Sequence, residues 1–359
     1  MSKKSYDVAI IGGGLSGLST AYFLSLFGKK VVVYEKQPQY NDDKHWCFWL
    51  HKNEEMEFSH LISKTWSSWQ VISPVGEKVT CKHEGLLYCC IKSNDFYNFM
   101  LNLKQFDVKF SQEISTLNSV QDIASIVIDA RLANNNKYSY FQQFKGWLIE
   151  TRKPSFNPGL LTIMDFSIGK DSNQIMFNYM LPFSEKIALI EPTIFTGSLQ
   201  EAERFDQAFE HFIIRQDIQD YDIIKHEAGI IPMTEDYKSH DSSRIGTSAG
   251  WVRPSTGYSF KRTIKLAGKL ASYIYSHNCL PETPFQPYSN ISLFLDRIFL
   301  NFLKKNPNLA PQQFFDWFKN TPPRQMVNFL QDEANLYEIV HLIFNTSNKK
   351  EFFKCSLNI

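Results

Sequence analysis

The sequence predicts an α/β fold: a Rossmann-like dinucleotide-binding domain, an antiparallel β-sheet inserted into it, and a helical C-terminal region. Three observations predict it. The run Val8-Ala9-Ile10-Ile11-Gly12-Gly13-Gly14-Leu15-Ser16-Gly17 reads as a buried strand that turns sharply into a helix. The stretch from Phe141 to Phe195 alternates short strand-like pieces with turns. Beyond Ser292 the pattern becomes helical, broken by Pro and Asn turns. The boundaries that follow are 1–140 and 227–285 for a discontinuous dinucleotide domain, 141–226 for the inserted sheet and 286–359 for the helical region.

Each part of the first element has its own reason. Gly12 permits the tight turn, Gly14 lets the backbone approach a pyrophosphate, and Gly17 lets the new helix pack hard on the strand. Leu15 and Ser16 open that helix, whose unpaired N–H groups and positive dipole end suit phosphate. The second strand, Val31 to Tyr34, runs into Glu35 and Lys36, roughly 20 residues after the glycines, where an acid accepts from ribose hydroxyls. A carboxylate there repels a 2′-phosphate, so the site favours FAD or NAD over NADP.

A polar loop, Gln37 to Lys44, leads to His45-Trp46-Cys47-Phe48-Trp49, too aromatic for an ordinary surface loop and expected near the cofactor through Trp46. Strands follow from Trp66 and from Glu77, around the turn Pro74-Val75-Gly76. Tyr88 to Ile91 reads as a strand end before a helix capped near Ser93 or Asn94. Ile126 to Arg131 is a short buried strand; at its carboxyl end Asp129 and Arg131 either approach the cofactor or form a surface ion pair.

The inserted sheet draws on Phe144 to Thr151, Thr162 to Phe166, Gln174 to Ser184 and Ile187 to Thr193, with a charged helix from Leu199 to Gln216 behind it. The dinucleotide domain resumes at Glu227-Ala228-Gly229. Arg244-Ile245-Gly246 is a strand running into the turn at Gly250, and Pro254-Ser255-Thr256-Gly257-Tyr258 opens a helix through Ser276. Backbone N–H groups at that helix start are placed to meet the flavin ring or the pyrophosphate. Four helices follow: Ser292 to Lys305, Pro311 to Lys319, Pro323 to Leu330 and Leu336 to Phe344.

Composition excludes several classes. With 38 basic and 37 acidic residues among 359, nucleic acid is not the expected partner. No apolar run reaches the roughly 18 residues of a membrane span, and the N-terminus enters the first strand at once, so a cytosolic protein is expected. Six cysteines without paired C-x-x-C spacing read as reduced thiols, with no metal site. Aromatic residues make up 15% of the chain, enough to fill a core or to line a long apolar cavity.

One series of segments narrows the reading: Trp46-Cys47-Phe48-Trp49, Phe144-x-Gly146-Trp147, Met164-Asp165-Phe166, Leu181-Pro182-Phe183-Ser184, Ala188-Leu189-Ile190-Glu191-x-Thr193, Glu227-x-Gly229-x-Ile231-Pro232-Met233 and Gly246-Thr247 through Tyr258. In this order, from about Tyr6 to Phe344, the chain resembles the FAD-dependent lycopene cyclases of bacteria. The resemblance implies a glutathione-reductase-type flavoprotein fold. Related FAD hydroxylases carry Gly-Asp where this chain has Gly246-Thr247, which supports the narrower likeness. His45 departs from the family, which more often has threonine before Trp46; this leaves the role of that loop open.

The activity implied is closure of the ψ ends of lycopene into β-ionone rings, an isomerisation without net redox change. It needs an acid for an unactivated alkene, a stabilised cation, a base and exclusion of water. Glu191, after the apolar run Ile187 to Ile190, is the candidate acid, because burial raises a carboxyl's pKa. Asp165 and Glu227, also in apolar settings, either orient it, relay a proton or act as structural hydrogen-bond partners. Trp46, Phe48, Trp49, Trp147, Phe166, Tyr179 and Phe183 are candidate faces for a carbocation, or core. The resemblance further implies reduced FAD as an electrostatic partner of the cation and NADPH as its transient reductant, a second nucleotide fingerprint being absent.

Lycopene and related acyclic carotenes lie in bilayers, so peripheral contact with the inner face of the cytoplasmic membrane is expected. Phe294, Phe299, Phe302 and Leu303 beside Lys304-Lys305, then Phe314, Phe315, Trp317 and Phe318, fit either an interfacial face or a core. The rival readings are an FAD-dependent monooxygenase or prenyl reductase acting on an isoprenoid, and a non-catalytic flavin-fold protein that binds carotenoid.

Overall fold

A computed structural model describes residues 4–132, 139–168, 174–234 and 241–357. In chain order the strands are β1 (Tyr6–Ile11), β2 (Val31–Tyr34), β3 (His45–His51), β4 (Lys64–Trp66), β5 (Ser68–Ile72), β6 (Lys78–Lys82), β7 (Leu86–Lys92), β8 (Asp107–Lys109), β9 (Ala124–Asp129), β10 (Phe141–Thr151), β11 (Leu160–Asp165), β12 (Ile175–Pro182), β13 (Ile187–Thr196) and β14 (Tyr221–Pro232). The helices are α1 (Leu15–Leu26), α2 (Ser93–Leu103), α3 (Ala202–Arg215), α4 (Phe260–His277), α5 (Asn290–Lys305), α6 (Ala310–Asn320), α7 (Pro323–Gln331), α8 (Leu336–Phe344) and α9 (Lys349–Ser356).

The first strand behaves as its apolar run requires. Val8, Ala9 and Ile10 are fully buried in a parallel sheet of order β8-β2-β1-β9, covered on one side by α1 and α4. Register sets Ile11 beside both Tyr34 and Asp129, so three strands end together under the start of α1. Gly17 makes that helix possible at this height: a Cβ there would lie 2.0 Å from the Gly12 carbonyl oxygen. No side chain fits.

The inserted sheet has seven strands, in the order β14-β10-β13-β12-β11-β5-β6. Every pairing in it is antiparallel except β11 with β5. Its two faces differ. Trp147, Ile149, Ile190 and Ile194 pack on α3, an amphipathic helix that turns Phe205, Phe209, Phe212 and Ile213 inward. The opposite face turns Leu161, Leu189 and Phe195 toward the helices α5 to α7. A third sheet, β3-β7-β4, stands between the two larger ones.

Two boundaries move. β14 belongs to the seven-stranded sheet through Pro232, so a division at 227 cuts a strand, and β5 and β6, inside 1–140, join the same sheet. The reason is that β5 completes its hydrogen bonding with a strand about ninety residues later, and local pattern does not say which sheet a strand will join. The aromatic segment from His45 is a regular strand, and the strand expected at Arg244 is a single parallel bridge to Asp129. The short charged α9 was not anticipated.

The C-terminal aromatics are core. Phe299, Phe302, Leu303, Phe314, Phe315, Trp317 and Phe318 are all buried, and only Phe294 of that set is exposed. The outward apolar face is instead on α8, where Leu336, Tyr337, Val340, Ile343 and Phe344 are exposed. Among the described residues no helix is long and apolar enough to cross a membrane.

Candidate active site

β13 is buried along nearly its whole length, and alternation divides it: Ile190 and Ile194 face α3, while Glu191, Thr193 and Phe195 face a cavity of about 740 Å³. Register then decides Glu191's neighbours. Tyr179 stands directly opposite it on β12. On the other side, across β10, Gly146 pairs with Glu227 of β14. The centre of the row is a glycine, so the two glutamates lean over it and meet. A Cβ on Gly146 would lie 2.8 Å from Glu191 Cγ and 3.0 Å from Glu227 Cγ.

The electrostatics follow from this row. Glu191 is 7% and Glu227 6% exposed. Burial, reinforced by the charge and hydrogen bond of Glu227, pushes the Glu191 carboxyl well above its ordinary range. Oε1 of Glu191 is buried against Gly146 and has no hydrogen-bond partner among the described residues. The arrangement can hold a proton beside an apolar space.

Gly146→Ala tests the row. Its methyl would force both carboxyls apart, and we expect roughly a hundredfold loss of turnover with a stability cost of about 1–3 kcal/mol. Near-normal turnover by the variant would show that the close approach of the two acids is not used.

β3 brings the remaining polar groups. His45 Nδ1 lies 2.5 Å from Glu227 Oε2. Cys47, two residues on, lines the same cavity as Tyr179. The Tyr179 and Tyr88 hydroxyls are 2.8 Å apart, and Tyr258 donates to Tyr88 at 3.5 Å. Burial raises all three phenols, Tyr258 to about 12, so they stay neutral. Tyr88 and Cys47 were not anticipated as site residues, and Gly146 appeared only as part of a motif.

Asp165 is not in this group. It pairs in register with Asn178, the neighbour of Tyr179, and adjacent residues on one strand point to opposite faces. Asp165 therefore projects to the α3 side, where it is ion-paired with Arg215 and accepts from Ser167. Of the seven candidate rings, Trp46 and Tyr179 line the cavity. Phe48 stacks on Phe260, Trp49 packs on Trp69, Trp147 on Phe209, Phe166 on Phe314, and Phe183 beside Trp66. Rings that do line it include Phe144, Phe177, Phe195 and Phe314.

The cofactor residues gather around the N-terminus of α1. Gly12 adopts φ +103°, and Gly14 caps the helix with open space where its Cβ would be, leaving room for a phosphate between Gly14, Leu15 and Ser16. Glu35, at the end of β2, accepts from the Gly13 and Gln37 N–H groups, which fixes its carboxylate toward the same groove; Lys36 beside it is exposed. Gly246 and Gly250 adopt left-handed backbone around a short 3-10 turn, and a Cβ on Gly246 would meet Ser16 Oγ at 2.4 Å. Pro254 is buried, whereas Thr256, Gly257 and Tyr258 line the cavity with Trp46. These residues fit a dinucleotide whose ring end reaches the cavity.

Asp129 and Arg131 form the ion pair, at 2.7 Å. Burial alone would raise the Asp129 carboxyl, but the hydrogen bonds and charge of Arg131, with Arg244 behind, hold it below its usual range. Arg131 also reaches the Ile114 carbonyl, so the pair ties β9 to its neighbours. No cluster able to hold a metal occurs among the described residues, and the six cysteines are free thiols.

Comparisons with known proteins bear on the family and the fold. The chloroplastic lycopene beta cyclase of Nicotiana tabacum is 24% identical, over 93% of this chain and 76% of that one. A geranylgeranyl bacteriochlorophyll reductase-like protein from Thermoplasma acidophilum shares the fold at a TM-score of 0.60 and 13% identity, covering 98% of this chain and 99% of that one. A point mutant of the halogenase PltM, in complex with FAD, shares it at 0.56 and 12%, covering 97% and 85%. Residues 7–352 match the family described as "Lycopene cyclase protein", and the chain belongs to the lycopene cyclase family.

Proposed function

We propose that the chain is a lycopene beta-cyclase, an isomerase that closes the ψ ends of lycopene into β-ionone rings. The observation that carries the reading is a buried Glu191 at the wall of an aromatic cavity, meeting a second buried carboxyl, Glu227, over Gly146. Glu191 gives its proton to the terminal alkene. The next double bond closes the ring, and a proton leaves the ring carbon beside the cationic centre. Glu227 is the base within reach of that proton, and passage across the Glu227–Glu191 contact resets the acid. One proton enters and one leaves, so the product is an isomer.

Phe144, Phe177 and Phe195 exclude water that would quench the cation, and ring faces stabilise it by roughly 0.5–2 kcal/mol each. Glu35, the α1 N-terminus and the segment Thr256 to Tyr258 would hold FAD, which in reduced form supplies negative charge near a forming cation. NADPH serves as its transient reductant. The exposed face of α8, with Lys349 and Lys350 after it, is the surface we assign to contact with the inner face of the cytoplasmic membrane.

Expression in lycopene-producing bacteria tests this directly. Cyclic carotene should replace the red pigment, with the protein pelleting in the membrane fraction. A culture that stays red overturns the cyclase reading, and a protein found wholly in the supernatant overturns the membrane assignment.

A further inference from the structure

We propose that His45 is a positioning residue: its ring nitrogen holds Glu227 as the charged member of the glutamate pair and leaves the shared proton on Glu191. The inference rests on the cyclase reading above and adds to it which carboxyl is the acid, and why.

Two carboxyls meeting over Gly146 in a buried space cannot both ionise, so near neutrality they share one proton. By themselves the two are close to equivalent, each on a strand flanking β10. His45 breaks the equivalence. Its side chain is 1% exposed and its Nδ1 reaches Glu227 Oε2 at 2.5 Å, whereas Glu191 Oε1 meets no donor among the described residues. A donor on one carboxylate stabilises the anion there and sends the proton to the other. An Nδ1–H tautomer of the neutral ring suffices, with Nε2 left as a buried nitrogen without a partner among the described residues.

The other titratable and charged groups around His45 do not supply this donor. Lys92 is opposite it on β7, but its ammonium lies 6.0 Å from the centre of the Phe183 ring that packs on His45. Lys225 of β14 is engaged with Asp42 at 2.6 Å, and Lys44 with Asp43 at 2.8 Å. Cys47 on the same strand stands opposite Cys90 of β7, and Tyr88 of β7 is paired with Tyr179 of β12. Cyclisation in this scheme needs the pair to hold one proton, on Glu191, so the low-pH limb of the rate profile reports the pair.

The test uses the NADPH-reduced, FAD-loaded enzyme on lycopene in liposomes, across pH, with variants at His45 and Glu191. His45→Phe keeps a ring of similar shape and removes the donor. It should lower kcat about 10- to 100-fold with little change in KM, and move the low-pH limb upward by about one pH unit. His45→Asn places an amide N–H near the Nδ1 position and should restore much of both. Flavin absorbance and a cooperative melt report folding in each variant; should His45→Phe fail to fold, the profile of His45→Asn against His45→Leu decides. A donor-free variant with the wild-type profile overturns the inference. Ring formation by Glu191→Gln would overturn the cyclase reading itself, whereas an inactive Glu191→Gln beside an unshifted His45→Phe would overturn only the role of His45.

Discussion

Glu191→Gln is expected to abolish ring formation, by at least about 10²- to 10⁴-fold in kcat, while FAD and carotene still bind. The amide has nearly the shape of the acid and keeps a hydrogen-bond donor, so the row Tyr179, Glu191, Gly146 and Glu227 should stay packed, with no proton to give. Product analysis after fixed reaction times measures the loss, and undiminished yield would remove Glu191 as the acid.

The same substitution has a thermodynamic signature. The folded pKa of Glu191 lies above its ordinary 4.5, so its contribution to stability is fully present below that unfolded value and is lost as pH rises through the folded pKa. The wild-type melting temperature should therefore fall as the medium passes from mildly acidic to alkaline. In Glu191→Gln that slope should flatten, and above neutrality the variant should melt no lower than wild type. A steeper fall in the variant would contradict the burial argument.

Asp296→Ala is expected to cost about 3–5 kcal/mol of stability. Asp296 is fully buried on α5 and accepts from Arg253 at 3.0 and 3.2 Å and from Ser255 at 2.7 Å. Arg253, itself 2% exposed, also donates to the Phe329 carbonyl of α7. Removing the acid strands a guanidinium in the interior beside Thr256 to Tyr258, so cofactor binding should weaken along with the fold. The double replacement Arg253→Met with Asp296→Leu should recover most of the stability. Urea midpoints compare the three, and a single variant as stable as the double would refute the cost assigned to the unpaired charge.

How far the site is legible in the sequence can be argued from three acids. Glu191 is legible because an apolar run delivers it to a strand interior, and Glu35 because its offset from the glycines is short-range geometry. Asp165 and Glu227 look alike as strings, each a carboxylate among apolar neighbours. They part only when register sets Asp165 opposite Asn178 on β12 and Glu227 opposite Gly146 on β10, a choice made over long separations. Asp296 shows the same limit: it reads as a helix residue like any other, and its partner is 43 positions away. Gly146 is conspicuous in the chain, but its use as a gap between two acids exists only once β10 lies between β13 and β14.

The single parallel pairing of β11 with β5 bears on how the protein can be taken apart. A fragment cut at 141–226 would lack β5, β6 and half of β14, leaving four complete strands of the seven-stranded sheet with raw edges on both flanks. Such a piece should clump rather than fold, and the N-terminal piece would carry an orphaned hairpin. The hydrocarbon-facing half is thus no detachable module, and grafting it onto another flavoprotein would have to bring residues 68–82 with it.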